Sequence, residues 1–266
     1  MEAIEEHIIR GYKNGYFENM YLNTQGGDFQ SQATEYLFTV NIAQQLLGWR
    51  SSLAQNYRYS IRFEYSASEF KNNCFLAFRI ERPEDIFARS KMIYRQSHVP
   101  VRNESGRIDI AILETPWNVM SLYPLSVIGI EVKGISPSFE KVVDDIVRLI
   151  DCVNAEDPIG VNNLKSCFVV YGRRIDRPSK PFSEAEFRAK WEELESSVKK
   201  DLDDIPQMKE VDYSLHLFEI DKTTAEEFSR VNRDDEGLVD YHEAAAGTGA
   251  IAGILVWIRK KVLVED

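Results

Sequence analysis

The stretch "GRIDIAILETPWNVMSLYPLSVIGIEVKG", residues 106–134, decides how this chain is read. It holds two apolar runs that predict β-strands, at about 106–113 and 126–133, joined by a loop with Pro116 and Pro124. Each run carries charge where a strand is normally apolar: Asp109 in the first, Glu131 and Lys133 in the second. Side chains alternate faces along a strand, so Glu131 and Lys133 point one way and Val132 the other. Val127, Ile128, Ile130 and Val132 put apolar residues on both faces, which predicts a second strand covered on both sides. If the two strands pair, Asp109 and Glu131 come within about 5 Å of each other, the cross-strand spacing.

Charge in a covered strand is costly unless it is paired or metal-bound. Two hard carboxylates suit Mg²⁺, with Mn²⁺ as a substitute, and Mg²⁺ keeps waters and takes phosphate oxygens as further ligands. Lys133 would then lie beside a metal-bound water, where it orients or deprotonates that water and offsets phosphate charge. Metal, water and a neighbouring cation are the components of metal-assisted phosphodiester hydrolysis. The alternative is an ordinary salt bridge between Lys133 and a carboxylate in a partly exposed hairpin.

Outward from this stretch, the chain alternates helix and strand patterns. Residues 2–14 have helical spacing and are expected to break at Gly15. A helix is predicted at roughly 30–47, capped by Asp28 or Ser31 and ended by Gly48, and a strand at 57–65. Residues 68–95 give no clear pattern. After Gly134, Ser136 and Pro137 signal a helix start. The helix that follows is amphipathic, with Phe139, Val142, Val143, Ile146, Leu149 and Ile150 on one stripe. Its polar side carries Lys141, Asp144, Asp145 and Arg148, read mainly as a solvated face from which Arg148 or Lys141 touches phosphate. Further strands are expected at 166–172, 213–220 and in GAIAGILVWI, and a helix at 183–204 with Phe187, Trp191, Leu194 and Val198 facing a core.

This order resembles the PD-(D/E)xK nuclease superfamily, the restriction-endonuclease-like fold. Asp109 in GRID stands at the family's Asp, with Ile108 where the pattern has Pro; Glu131, Val132 and Lys133 stand at its Glu-x-Lys. The likeness spans roughly residues 30–172. It implies an α/β fold whose core runs α-β-β-β-α-β around a mixed sheet, with a C-terminal α+β extension. It implies a metal held by Asp109, Glu131, the Val132 backbone carbonyl and a carboxylate on the first core helix, for which Glu35 is the candidate. The expected division is 1–27 as an N-terminal helix and loop, 28–175 as the nuclease core, and 176–266 as an acidic extension packed on it. The implied activity is Mg²⁺-dependent hydrolysis of DNA in restriction, phage defence or repair. An RNA-directed nuclease or a catalytically inactive nucleic-acid-binding or scaffold member stands as the alternative, as does an unrelated α/β protein with structural charges. Family habit points to a homodimer, and the acidic C-terminal third is a candidate to complete the sheet, mediate that dimer or contact a partner subunit.

Composition narrows the remaining options. The formal net charge is −11 and the pI about 5.0, so the average field repels nucleic acid and any such site is a local basic surface or uses metal. Residues 58–107 hold 10 Lys/Arg against 6 Asp/Glu, whereas residues 183–240 hold 8 against 18. Arg58, Arg62, Arg102 and Arg107 are therefore candidate phosphate contacts. Cys74, Cys152 and Cys167 form no zinc spacing, which fits a reduced, cytoplasmic protein. MEAIEEHIIR lacks the apolar core of a signal peptide, and AAAGTGAIAGILVWI is short for a membrane span and reads better as a buried strand. GTGAIAG, at 247–253, lacks the flanking strand and helix of a dinucleotide loop, and the four histidines show no metal-ligand spacing.

Overall fold

The computed structural model describes residues 2–24, 31–53, 58–75, 106–115, 124–156, 162–175, 183–221 and 250–261. The quoted stretch forms two strands of one mixed sheet, β2 (Arg107–Glu114) and β3 (Leu125–Ile135). Preceding them are α1 (Glu2–Thr24), α2 (Ser31–Ser52), β1 (Tyr59–Ser66) and a short α3 (Ala67–Asn72). Following them are α4 (Phe139–Val153), β4 (Ser166–Arg174), α5 (Glu184–Asp203), a 3-10 turn at Pro206–Glu210, β5 (Val211–Asp221) and β6 (Ile251–Lys260). The sheet order is β1-β2-β3-β4-β6-β5. Among the described strands only β3 and β4 run parallel, and α4 makes the crossover between them. Because β6 pairs with β4, the C-terminal strands continue the same sheet.

Both faces of the sheet are covered, as the apolar residues of β3 require. One face packs Ile110, Ile112, Ile128, Ile130, Val132 and Phe168 under α1 and α2. The other packs Ala111, Leu113, Cys167, Val169 and Ile254 under α3, α4 and residues of α5. Gly129 lies on this second face, where a Cβ would come within 2.9 Å of Phe70 and 3.3 Å of Leu149. Glu131 and Lys133 follow Gly129 at two-residue steps, so they leave β3 on the α4 side.

Four local expectations are corrected. α1 does not break at Gly15: Gly11 and Gly15 lie one turn apart where α2 crosses. A Cβ on Gly11 would stand 2.4 Å from Ile42 Cα, and one on Gly15 2.8 Å from Phe38 Cα. The glycines permit close approach there and do not end the helix. α2 runs on through Gly48, which faces open space, since one exposed glycine costs about 1 kcal/mol in a helix. The α4 cap is Ser138, not Ser136; Ser136 has φ 54°, and its N–H donates to the Gly172 carbonyl at 2.8 Å, tying the end of β3 to β4. Phe139 is 39% exposed and leaves the buried stripe, which is carried by Val142, Ile146, Leu149 and Ile150. Asp28, Arg102, His98, His242 and residues 247–249 lie outside the described residues.

Candidate active site

The site begins where β2 and β3 stop pairing. Their ladder ends at Ile110 and Ile130, one step before Asp109 would face Glu131. On its other side β2 pairs Phe63 with Ile110 and Tyr65 with Ile108, skipping Glu64 and Asp109. Glu64 has φ 48°, a left-handed conformation that costs a non-glycine residue about 1 kcal/mol or more. Across this step the ribbon rotates: Ile61 and Ile110 pack under α1 and α2, whereas Tyr65 and Ile108 pack on the α4 side. Asp109 sits at the rotation point, and its Oδ2 accepts the Val132 N–H at 2.7 Å in place of a ladder bond.

Four carboxylates and two cations gather here. Glu131 is 1% exposed, and its Oε1 accepts from Arg148 Nη1 at 2.7 Å. Lys133 Nζ lies 2.8 Å from Asp145 Oδ2 and 3.3 Å from Glu35 Oε1. Asp145 Oδ1 lies 3.1 Å from Arg148 Nη1. Lys133 thus joins α2, through Glu35, to α4, through Asp145. From α1, the buried Tyr12 hydroxyl lies 2.9 Å from the Lys133 carbonyl oxygen and 3.1 Å from that of Gly134, a shared donation that fixes the end of β3. Tyr12 stacks on Phe38 of α2 with ring centroids 4.2 Å apart, so one helix pair positions both Glu35 and the β3 terminus.

The electrostatics follow from burial. Burial pushes the Asp109 carboxyl up to about 6 against the opposing pull of Lys133, the Val132 N–H and a hydrogen bond with Glu131. Glu131 is raised well above the usual carboxylate range by burial and then by Asp109 and Asp145, with Arg148 and Lys133 opposing. Lys133 is raised because Asp145 and Asp109 outweigh the cost of burying its charge. Glu35, Asp109, Glu131 and Asp145 against Lys133 and Arg148 leave a formal charge of −2 when all are ionised. Asp109 and Glu131 therefore need a proton between them or a cation. That charge and the hard oxygen donors fit one Mg²⁺ or Mn²⁺. Among the described residues, no three His, Cys, Asp or Glu side chains converge tightly enough to hold a metal unaided; Lys133 stands between Glu35 and Asp145, and Arg148 between Asp145 and Glu131.

Of the residues singled out from sequence, Asp109, Glu131, Lys133, Glu35 and Arg148 come together. Arg107 lies at the mouth, with an exposed side chain 3.4 Å from Glu64 and its carbonyl 3.3 Å from Arg148 Nη1. Arg62 is exposed on β1, opposite Ala111. Arg58 is not at the site: it pairs with Glu114 at 2.8 Å, at the opposite end of β2 from Asp109. Asp145 was expected on a solvated face and is instead buried. It stands three residues after Val142 and four before Leu149, both buried, so a carboxylate within the apolar stripe was the available signal. The three cysteines are free and fully buried with raised thiol pKa values, Cys152 to about 12, which suits core packing. Residues 251–253 of GTGAIAG lie within strand β6, which gives no phosphate loop. Among the described residues, no helix is long and apolar enough to cross a membrane. No family model, curated protein or solved structure matches this chain.

Proposed function

We propose that this protein is a metal-dependent nuclease of the PD-(D/E)xK type that hydrolyses phosphodiester bonds of DNA. The observation that carries the reading is the convergence of Asp109, Glu131 and Lys133, from two neighbouring strands, on one buried locus with excess negative charge. The order α2, β1, β2, β3, α4, β4, with β2–β3 antiparallel and β3–β4 parallel, supports it, because that is the element order the resemblance implies. The short α3 after β1 is an addition to that order.

Asp109, Glu131 and the Val132 carbonyl would hold the cation, with Glu35 within reach through Lys133. A bound Mg²⁺ or Mn²⁺ supplies Lewis-acid polarisation of a phosphoryl oxygen and a more acidic water. Lys133, kept protonated by its anionic neighbours, acts as a cation: it donates to the attacking oxygen or the phosphate and does not take a proton in this state. Asp109 accepts the Val132 N–H, which sets the backbone of the Glu-x-Lys segment relative to β2. Arg107, exposed at the mouth, is the arginine best placed to meet a phosphate.

The test is incubation with plasmid, linear and single-stranded DNA and with RNA, each with Mg²⁺, Mn²⁺ or EDTA. Cleavage of DNA that needs the metal and stops with chelator is expected. Cleavage that persists in EDTA sinks the reading, and cutting confined to RNA moves the substrate class. A catalytically inactive member of the fold is favoured by one observation, the pairing of Glu131 with Arg148. Metal binding with no cleavage of any of these substrates would select it.

A further inference from the structure

Two cations able to neutralise Asp109 and Glu131 are already in the site, and one residue holds both. Asp145 leaves α4 with only 6% of its side chain exposed. One of its oxygens faces Lys133 Nζ at 2.8 Å and the other faces Arg148 Nη1 at 3.1 Å. We infer that Asp145 is a positioning residue: it holds Lys133 and competes with Glu131 for Arg148, and so sets whether the counter-charge of the Asp109–Glu131 pair is an arginine or a divalent cation. The inference rests on reading the pair as a metal site.

Arg148 Nη1 meets three elements at once: it donates to Glu131 Oε1 at 2.7 Å and to the Arg107 carbonyl at 3.3 Å, and lies 3.1 Å from Asp145 Oδ1. A guanidinium and a dication on the same buried carboxylate repel each other strongly. Metal binding therefore requires Arg148 to loosen from Glu131. Asp145 supplies the anchor that remains when it does. There is also space: Arg148 lines a groove of about 470 Å³ between α4 and the 3-10 turn, whose walls include Asp144, Asp151 and Asp204. The Arg148 Nε is buried without a hydrogen bond among the described residues, so its present pose leaves one donor unused. Lys133 is held likewise, between Asp145 and Glu35, and its charge lies beside the carboxylate pair. Without the Asp145 charge, Lys133 is released toward Asp109 and Glu131, Arg148 bears on Glu131 alone, and both compete with the metal.

A residue that merely braced α4 would change stability and leave metal affinity alone, so the readout is Mn²⁺ binding to the full chain without nucleic acid. Calorimetry, or electron paramagnetic resonance of free Mn²⁺, is run at fixed pH and salt on wild type, Asp109→Asn, Asp145→Asn, Arg148→Met and the Asp145→Asn/Arg148→Met double variant. Removing one nearby charge predicts about tenfold weaker binding for Asp145→Asn and about tenfold tighter binding for Arg148→Met. In the Arg148→Met background the Asp145→Asn loss shrinks by at least about threefold, the non-additivity expected of residues that act through one another. An Asp145→Asn affinity equal to wild type, or an equal loss in both backgrounds, overturns the inference. If Asp145→Asn does not fold, Arg148→Met decides: tighter binding supports the competition, and unchanged or weaker binding ends it. If wild type and Asp109→Asn bind Mn²⁺ alike, the metal reading itself fails and takes this inference with it. If they differ while Asp145→Asn does nothing, only the role of Asp145 falls.

Discussion

Asp109→Asn separates a metal ligand from a structural ion pair through the metal-free protein alone. In the folded chain the Asp109 carboxyl is raised to about 6, chiefly by burial, from an ordinary value of 3.8 that it regains on unfolding. Between those values the folded state keeps a proton that the unfolded state has lost. Stability is thus highest below the unfolded value, falls as pH rises through that window, and carries the full penalty above it, opposite in sign to a carboxylate stabilised by a salt bridge. A rise of this size corresponds to at most about 3 kcal/mol at pH 8. Asparagine removes the charge and keeps an oxygen to accept the Val132 N–H, now bound at 2.7 Å. At ~2–4 °C per kcal/mol for a domain of this order of size, Asp109→Asn melts several degrees above the parent at pH 8, up to ~12 °C. The gap closes near pH 4. Melting curves in EDTA at both pH values, by calorimetry or dye fluorescence, measure it. Adding Mn²⁺ should raise the parent melting point and leave that of the variant in place. An Asp109→Asn protein that melts below the parent at pH 8 would falsify the reasoning, because the attraction of Lys133 for Asp109 would then outweigh the cost of burial.

Other consequences are direct. Asp109→Ala, Glu131→Ala and Lys133→Ala each abolish Mg²⁺-dependent cleavage in a plasmid-nicking assay, and Glu35→Gln gives a smaller loss; variants that keep cutting but melt early would reduce these charges to a bracing role. Gly11→Ala destabilises by at least about 2 kcal/mol in urea unfolding, since its Cβ meets the Ile42 backbone, and parental stability would mean that α1 and α2 can move apart. Arg107→Ala lowers the slope of log binding constant against log salt by about 1, whereas Arg58→Ala, paired with Glu114 at the far end of β2, leaves it unchanged. Equal slopes for both variants would move the phosphate surface elsewhere.

The strands and α4 were legible because their signals are local. Alternation in RIDIAIL, two-sided apolarity in VIGIEVKG and the 3.6-residue stripe of α4 each follow from which face meets the core. What misled was glycine. Gly15 and Gly48 read alike as breakers, yet one lies where α2 crosses α1 and the other faces solvent, and the local sequence does not separate those cases. α3 was not legible, because its six residues are too few for a period to show; it is fixed by its Ser66 cap and by Phe70 seated over Gly129. The place of β6 between β4 and β5 was equally hidden, since it depends on pairing between segments about eighty residues apart.

The site was legible in its acids and not in its balance. Asp109, Glu131 and Lys133 announce themselves because a charged residue in an apolar strand needs a reason. Arg148 does not, because a charged residue at the margin of a helix stripe ordinarily reaches water, and Asp145 signals only by standing within the apolar stripe. Their burial comes from the crossover: α4 returns over β3 to reach β4, and this lays its Asp145–Arg148 edge on Glu131 and Lys133. The same geometry explains why Lys133 is not committed to Asp109 and Glu131 alone. Had α4 presented two apolar residues there, Lys133 would be free to settle on Asp109 and Glu131 and close the site as a simple salt bridge. With Asp145 in place, Lys133 has a third anion at 2.8 Å and Arg148 is shared between Glu131 and Asp145. The cluster keeps an excess of negative charge, which is the condition a divalent cation needs in order to compete for Glu131 with the arginine already there.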